Sequence, residues 1–465
     1  MSFTRRTFLL GAGSGLSVLV LAACTVDAEP APSPSPSRPV SGSVPQPAGM
    51  VRSAWASDSF ARGAVSYMPV GATVEHRDAL RVPLGDRVFF AGEATSADRP
   101  GTVTGAQRSG ERAAAEVDDV AAPGDRVAVI GAGAAGAEAA RVLTLRGYDV
   151  VVIEARDRVG GRIQTRTDDS WPVPVELGAW QLSPTADAEL LVDLGRLEIA
   201  TAALGEETGS VFRSPEGEEE TDAVSGEALA AALAFGREQS RDQSLASSLE
   251  ASGAAARAAE AAAGEVTGAA LLEQGLARLA GVSGADATDL SSWFTEVDPA
   301  PPVLVTGGLS AVVSDSLEGV ETFLSTTVVG VAYSDDKVSL RLGTGESLTV
   351  DRAVVTVPLG VLQDDGIDFD PLLPFSHRAA ISALGMGTVN TVWLRFEEPF
   401  WTTDAVAWNL VGTDDEITTW FNLEPLTGEA VLVGVVGGDA AERMERMDDG
   451  ELTDSLRQTL APFAS

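Results

Sequence analysis

Apolar positions along the chain fall into distinct patterns, and each predicts a different element. Short continuous apolar runs at Val88 to Ala91, Val127 to Ile130 and Val150 to Ile153 predict strands buried on both faces, because a half-buried strand alternates polar and apolar residues instead. Ala-, Leu- and Glu-rich sequence of helical period occupies Leu190 to Gly281, broken by an acidic loop from Glu216 to Asp222. From Val303 to Leu362 the pattern returns to strands. Val328 to Val331, Val338 to Leu342 and Ala353 to Val357 predict a β-meander. Gly101-Thr102-Val103, through Gly105, opens a helix that continues to Val117. Strands alternating with helices predict an α/β fold.

The run Val127 to Ile130 leads directly into candidate chemistry. Gly131, Gly133 and Gly136 follow it at GxGxxG spacing, with Ala135 among them, and a helical stretch follows those. Gly131 allows the tight turn, Gly133 lets the backbone approach a pyrophosphate, and Gly136 lets helix and strand pack closely. The helix N-terminus offers unpaired N–H groups and the positive end of its dipole. Glu154, followed by Ala155 and Arg156, ends the next strand, where a carboxylate accepts hydrogen bonds from ribose hydroxyls. Strand, turn, helix, strand and acid occur in register, which makes this a dinucleotide-binding unit of Rossmann type. Gly160-Gly161-Arg162 resembles the pyrophosphate-binding extension of FAD enzymes of the glutathione-reductase-like class, so FAD is the favoured nucleotide.

Composition removes other chemistries. The 465 residues carry a formal net charge of −36, which opposes nucleic acid and anionic lipid as partners and suits cationic substrates. With two histidines and one cysteine, neither a zinc site nor Cys–His nucleophilic chemistry is expected, no metal is assigned, and no internal disulfide forms.

The first residues read as an export signal. Thr4-Arg5-Arg6-Thr7-Phe8-Leu9 resembles the twin-arginine consensus, ahead of a short apolar run from Phe8 to Ala23 broken by Gly and Ser. Leu21-Ala22-Ala23-Cys24 looks like a lipobox, with Cys24 the lipidated residue; an ordinary secretory signal with an incidental Arg pair is the alternative. Residues 25–50, rich in Pro and Ser, read as an extended tether of about 3 Å per residue. The protein is therefore expected outside the cytoplasmic membrane, attached to it only through lipid at Cys24.

Several blocks resemble the flavin-containing amine oxidase family, which includes monoamine oxidases, polyamine oxidases and lysine-specific histone demethylases. Residues 51–117, including Arg87-Val88-Phe89-Phe90-Ala91-Gly92-Glu93 and Gly101-Thr102-Val103, resemble that family's C-terminal block. Val175-Glu176-Leu177-Gly178-Ala179-Trp180 resembles the stretch passing close to the flavin. Val355 to Leu362 and Leu384 to Asn390, running on to Trp401, match further blocks, and Val328 matches a position whose backbone contacts adenine. In the family the dinucleotide-binding finger comes first and the residues 51–117 block last; here the block precedes the finger. Each block occurs once, which is the pattern of a circular permutation, an error of gene assembly being the alternative. The implied fold is a Rossmann-type FAD-binding domain (84–185 and 300–362) with a mixed α+β substrate domain (51–83, 186–299 and 363–465), after a signal (1–24) and the tether.

The resemblance implies hydride transfer from the carbon beside an amine nitrogen to flavin N5, with oxygen reoxidising the flavin to give peroxide. It also implies that the backbone at Gly92-Glu93 approaches the ribityl chain, that the helix opened by Thr102 and Val103 points its N-terminus at the flavin pyrimidine, and that Gly178, Ala179 and Trp180 pass close to the flavin. Three departures bear on catalysis. Thr391 stands where the family usually has a catalytic lysine. Val65 and Thr102 stand where many members carry two aromatics flanking the amine; Tyr67 shares the Val65 face of a strand, or else packs in the core. Ala64 stands where covalent members have the flavin-linking cysteine, so FAD is expected to be noncovalent. Trp55 matches a tryptophan commonly near the flavin ring. A flavin dehydrogenase or desaturase acting on an uncharged substrate, and a surface lipoprotein holding FAD without turnover, stay open beside the amine or amino-acid oxidase.

Overall fold

A computed structural model describes residues 43–464 apart from 216, 220–222, 264, 265 and 299. The twin-arginine stretch, the apolar run to Ala23, Cys24 and the tether as far as residue 42 lie outside the described residues. The end of the expected tether is part of the fold. Val44 is buried, and Gly49–Arg52 (β1) pairs antiparallel with the strand Val389–Arg395.

Val88–Phe90 (β3), Arg126–Ile130 (β4) and Asp149–Ile153 (β5) belong to one five-stranded sheet, with β4 at its centre and β3 at one edge, after the short strand Val65–Tyr67 (β2) has paired elsewhere. Its order is Glu321–Phe323, β5, β4, Arg352–Val355, β3, and every pairing is parallel. Side chains alternate between its two faces. Phe89, Val127, Val129, Val152 and Val354 pack with the helices of one face. Val88, Phe90, Ala128, Ile130, Val151, Ile153, Ala353 and Val355 pack on the other, against a small antiparallel sheet. Burial on both faces explains why these strands read as unbroken apolar runs.

That small sheet corrects the expected meander. Its antiparallel strands are Val328–Tyr333, Val338–Leu342 and Ser347–Val350, with Asp368–Asp370 added parallel to the first. The expected third strand, Ala353 to Val357, instead lies as Arg352–Val355 between β4 and β3. Ser347–Val350 is half polar because one of its faces meets water, whereas the Ala353 run is apolar because both of its faces are covered.

A short helix, Val74–Leu80 (α1), precedes β3; the helix after β3, Val103–Asp118 (α2), packs against the helix after β4, Ala134–Leu145 (α3). Their contact runs through Gly110, where a Cβ would lie 2.2 Å from the Ala135 carbonyl oxygen. The glycine lets the two helices touch backbone to backbone, so the segment around β3 and the finger are docked side by side.

The rest of the chain builds a seven-stranded sheet in the order β1, Val389–Arg395, Val431–Gly437, Thr419–Asn422, Ala407–Leu410, Ser210–Ser214, Gly217–Glu219. Its last two strands fall inside the stretch expected to be helical from Leu190 to Gly281. Within that stretch the helices are Ala188–Arg196, Val224–Arg237, Leu245–Ala251, Ala254–Glu260 and Gly268–Ser283. Ser210–Ser214 is a strand because it pairs in parallel with Ala407–Leu410, a contact nearly two hundred residues away that local composition does not encode. Part of the expected acidic loop, Gly217–Glu219, is the partner strand.

Candidate cofactor and substrate cavity

One cavity of about 400 Å³ gathers nearly every residue singled out above. Gly131, Gly133, Ala135, Glu154, Ala155, Arg156, Gly160, Gly161, Arg162 and Val328 line it, as do Gly178, Ala179, Trp180, Gly92, Glu93, Thr102 and Val103. So do Trp55, Val65 and Thr391. Gly136 does not: a Cβ there would sit 1.9 Å from the Gly131 carbonyl oxygen, so this glycine serves the contact of α3 with the turn.

The finger brings bare backbone to the cavity. Gly131 has φ of +107°, and a Cβ there would lie 2.6 Å from Thr356 Oγ1. Thr356 donates to the Ile130 carbonyl at 2.8 Å and locks the turn to the neighbouring strand. The first-turn amides of α3 have no intrahelical partners and form an anion-binding end. A second turn meets the first: Gly133 bridges Gly160, and Gly160 N donates to the Ala132 carbonyl at 2.8 Å. Arg158 pins that second turn, donating to the Gly161 carbonyl at 2.9 Å and to Gln164 Oε1 at 3.0 Å. Glu154 accepts from Ala132 N at 2.7 Å and from Arg156 N at 2.8 Å. Each oxygen keeps a further lone pair for a ribose hydroxyl.

Glu93 and Arg162, both on the cavity lining, form an ion pair of 2.8 Å, and Glu93 also accepts from Ser66 Oγ at 2.6 Å and Gly101 N at 2.8 Å. Burial pushes the Glu93 carboxyl up, but the Arg162 charge and these hydrogen bonds outweigh it and hold it below the usual range. Thr102 is the N-cap of α2. Its Oγ1 accepts from Gly105 N at 2.9 Å and donates to the Arg99 carbonyl at 2.9 Å, so its hydroxyl is already spent.

Trp55 and Thr391 are placed by one buried polar knot. Asn390 Oδ1 accepts from Trp55 N at 3.1 Å and Ser53 Oγ at 3.0 Å, while Thr391 N donates to Ser53 Oγ at 2.9 Å. Trp55 Nε1 donates to the Leu177 carbonyl at 2.9 Å. Thr391 Oγ1 and Trp393 Nε1 both donate to the Glu176 carbonyl, at 3.4 and 3.0 Å. Around Thr391 the lining is apolar: Val65, Leu177, Val282, Val389 and Val435. Tyr67 is not on the lining; it packs among the helices with Leu290 and Leu276 and closes over Gly385, so its place is the core.

Several residues of the site carry no signal in the sequence pattern. Asp58 binds Arg156 through both carboxylate oxygens at 2.7 and 2.8 Å, and the guanidinium lies over the rings of Phe60 (5.5 Å) and Trp55 (5.9 Å). Asp187 lines the cavity and accepts from Thr104 Oγ1 at 2.6 Å and Ser183 N at 2.8 Å. Thr356, Val357 and Pro358 line it as well, within a block whose resemblance assigns them no role.

A family model described as flavin containing amine oxidoreductase matches residues 38–118 and 134–464. Polyamine oxidase 3 of Oryza sativa subsp. japonica is 29% identical over 359 residues, covering 69% of each chain. Lysine-specific histone demethylase 1 homolog 1 of Arabidopsis thaliana is 28% identical over 373 residues, covering 72% of this chain and 41% of that protein. Among solved structures, wild-type putrescine oxidase bound to putrescine aligns with a TM-score of 0.52 at 22% identity, covering 73% of this chain and 82% of that one. A triple mutant of putrescine oxidase gives a TM-score of 0.56 at 21% identity, covering 73% and 81%. The fold is thus a mixed α/β fold of that kind, and FAD is the cofactor of the family. The residues present fit it: turns at Gly131 and Gly160 without room for a Cβ, a helix N-terminus bearing only glycine and alanine, and a buried carboxylate just after β5.

Glu176, wholly buried beside the knot, gives a test of the site's framework. Its Oε1 accepts from Leu309 N at 2.8 Å and its Oε2 from Thr165 Oγ1 at 2.8 Å. Burial outweighs these bonds and pushes its carboxyl from 4.5 up to about 7. Between those values the folded protein holds a proton that the unfolded chain has lost. Its contribution is therefore complete below pH 4.5 and lost as pH rises through 7, amounting to about 3 kcal/mol. Urea unfolding of wild type and Glu176→Gln between about pH 5 and 8 should show the stability difference moving against wild type by that order as pH rises; a difference independent of pH would contradict the assignment.

Proposed function

Because the chain belongs to the flavin containing amine oxidoreductase family, we propose that it oxidises the C–N bond of a small aliphatic amine, with oxygen as the electron acceptor and hydrogen peroxide as product. The observation that carries this reading is the single cavity joining a dinucleotide-binding end, around Gly131 and Glu154, to an apolar end around Thr391. The names of the relatives, polyamine oxidase and putrescine oxidase, favour a di- or polyamine. The net charge of −36 draws such cations toward the protein.

In this reading the FAD-binding part is of Rossmann type and glutathione-reductase-like class. It comprises residues 84–185 and 300–362, and residues 51–83, 186–299 and 363–465 surround the substrate. The amides of the α3 first turn and Gly160-Gly161-Arg162 would hold the diphosphate, Glu154 the ribose, Gly92-Glu93 the ribityl chain, and the α2 N-terminus the flavin end. Bound there without a covalent link, FAD supplies the two-electron acceptor.

The protein's own residues then do three things. Val65, Val389, Val435 and Leu177 exclude water, which favours the neutral amine over its ammonium form and frees the nitrogen lone pair. The Trp55 ring, fixed through its Nε1, forms a wall against which the substrate is oriented. Thr391 Oγ1, held near the Glu176 carbonyl, can hold one water by hydrogen bonding but supplies no charge. That last feature favours a second reading, a dehydrogenase that passes electrons to an acceptor other than oxygen.

Anaerobic mixing of the holoprotein with diamines and polyamines is expected to bleach the oxidised flavin, and admission of air to return the colour with one peroxide per amine. Bleaching without peroxide favours the dehydrogenase; absence of bleaching by any amine or amino acid would sink amine oxidation.

The proposal also has the protein exported and held to the membrane by lipid at Cys24, its blocks in permuted order within one chain. The permuted order is supported by the contact of Arg457 Nε and Nη2 with the Val44 carbonyl at 3.0 and 2.8 Å, which sets the last long helix beside the segment leading into β1. The intact mass of protein extracted from membranes should be that of one chain starting at a diacylated Cys24. An unlipidated product, or two separate polypeptides, would overturn this part of the proposal.

A further inference from the structure

Behind the Glu93–Arg162 pair lies a second guanidinium. The short helix Val74–Leu80 (α1) carries Arg77, which is only 5% exposed. Its Nη1 donates to the Ala94 carbonyl at 2.8 Å and to Ser66 Oγ at 3.1 Å, and its Nη2 is buried with no partner among the described residues. Ser66 passes the contact on, donating to Glu93 Oε2 at 2.6 Å. Arg77 has no ion pair of its own among the described residues: Glu93 is bound directly by Arg162, and Asp78 on the same helix pairs with Arg81. From the helix Phe375–Ala383 packed on α1, the buried His377 faces the Val82 carbonyl, and burial pushes its pKa down toward the neutral form.

The charge count is two guanidiniums against one carboxylate. Burial pulls the Arg77 pKa down and Glu93 pulls it back up, and an arginine so placed keeps its proton. The wall of the cavity at Gly92, Glu93 and Gly101 is therefore backed by one surplus positive charge. Burying a charge without a full partner is costly, and such a cost is kept where it serves a site.

We propose that Arg77 tunes the redox balance of the bound FAD. Two-electron reduction with uptake of one proton adds one negative charge to the flavin, and the surplus cation favours that reduced form over the neutral oxidised one. Arg77 acts across Ser66 and Glu93 and touches neither substrate nor flavin, so it is a tuning residue and not a catalytic one. The proposal rests on FAD binding and is indifferent to the substrate.

The test is an anaerobic electrode titration of the holoprotein without amine, so a failure of the amine reading leaves it intact. A unit charge within about 10 Å, at an effective dielectric constant of about 20, shifts a charging equilibrium by about tenfold. Arg77→Met and Arg77→Gln, checked for bound FAD, should each lower the midpoint by about 30 mV, the value of a tenfold change for a two-electron couple, while Arg77→Lys stays close to wild type. Arg77→Gln keeps a hydrogen-bonding head at the site, so the midpoint can be read even where Arg77→Met does not fold. An unchanged midpoint in either neutral variant with FAD bound would overturn the proposal.

Discussion

Backbone meeting backbone, with no space for a single Cβ, is the constraint on which the cavity depends. A Cβ on Gly178 would lie 1.8 Å from the Arg162 carbonyl oxygen, one on Gly136 1.9 Å from that of Gly131, and one on Gly160 2.3 Å from that of Ile163. The second and third of these contacts tighten single turns, and the first docks the Gly178 segment on the Arg162 turn. The Gly133–Gly160 bridge joins the two glycine turns, so that together they present amides and carbonyls. The parallel sheet supports them from below, since β4 and β5 run directly into Gly131 and Glu154 respectively. Gly110 extends the same principle to α2 and α3, and through them to the Gly92–Glu93 corner. A nucleotide needs such a surface, because phosphate oxygens pair with amides that no side chain may shield.

Dryness is the second property. Charged groups around the cavity are held in pairs or by backbone amides: Glu93 with Arg162, Asp58 with Arg156, Glu154 with two N–H groups. Glu176 shows what happens without a cation, its proton being retained to near neutrality. Within this pattern Arg77 has no ion pair among the described residues, and the lining around Thr391 is apolar. In the proposal above, the first places positive charge where electrons would arrive. The second places none where a neutral amine would sit.

Much of this is legible in the sequence, for physical reasons particular to each element. The finger can be read because turn, helix dipole and acid must occur at fixed spacing for a nucleotide to bind, and β3 can be read because a strand covered on both faces is apolar throughout. Val65, Trp55 and Thr391 are located only through resemblance, since nothing in a lone Trp or Thr signals a cavity. Other elements differ from their local pattern. Ser210–Ser214 lies in a stretch of helical composition, and Ala353 to Val357 follows two meander strands, yet both pair with strands far away in sequence. Residues 43–50 have the composition of a tether, although Val44 is buried and Gly49–Arg52 joins the sheet. The Asp58–Arg156 clamp and the Arg77 relay leave no trace in local pattern, because each joins segments that meet only in the folded chain.

In the proposed function the Gly131 turn forms the cofactor bed because it has no side chain, and the account stands or falls on that point. Its most direct test is the equilibrium affinity of apoprotein for FAD, followed by quenching of flavin fluorescence, in wild type and Gly131→Ala. At φ of +107° and 2.6 Å from Thr356 Oγ1, the added methyl must displace the turn. Affinity should fall at least about tenfold, equivalent to about 1.4 kcal/mol, with far-ultraviolet circular dichroism unchanged. A folded Gly131→Ala protein that binds FAD as tightly as wild type would contradict the account.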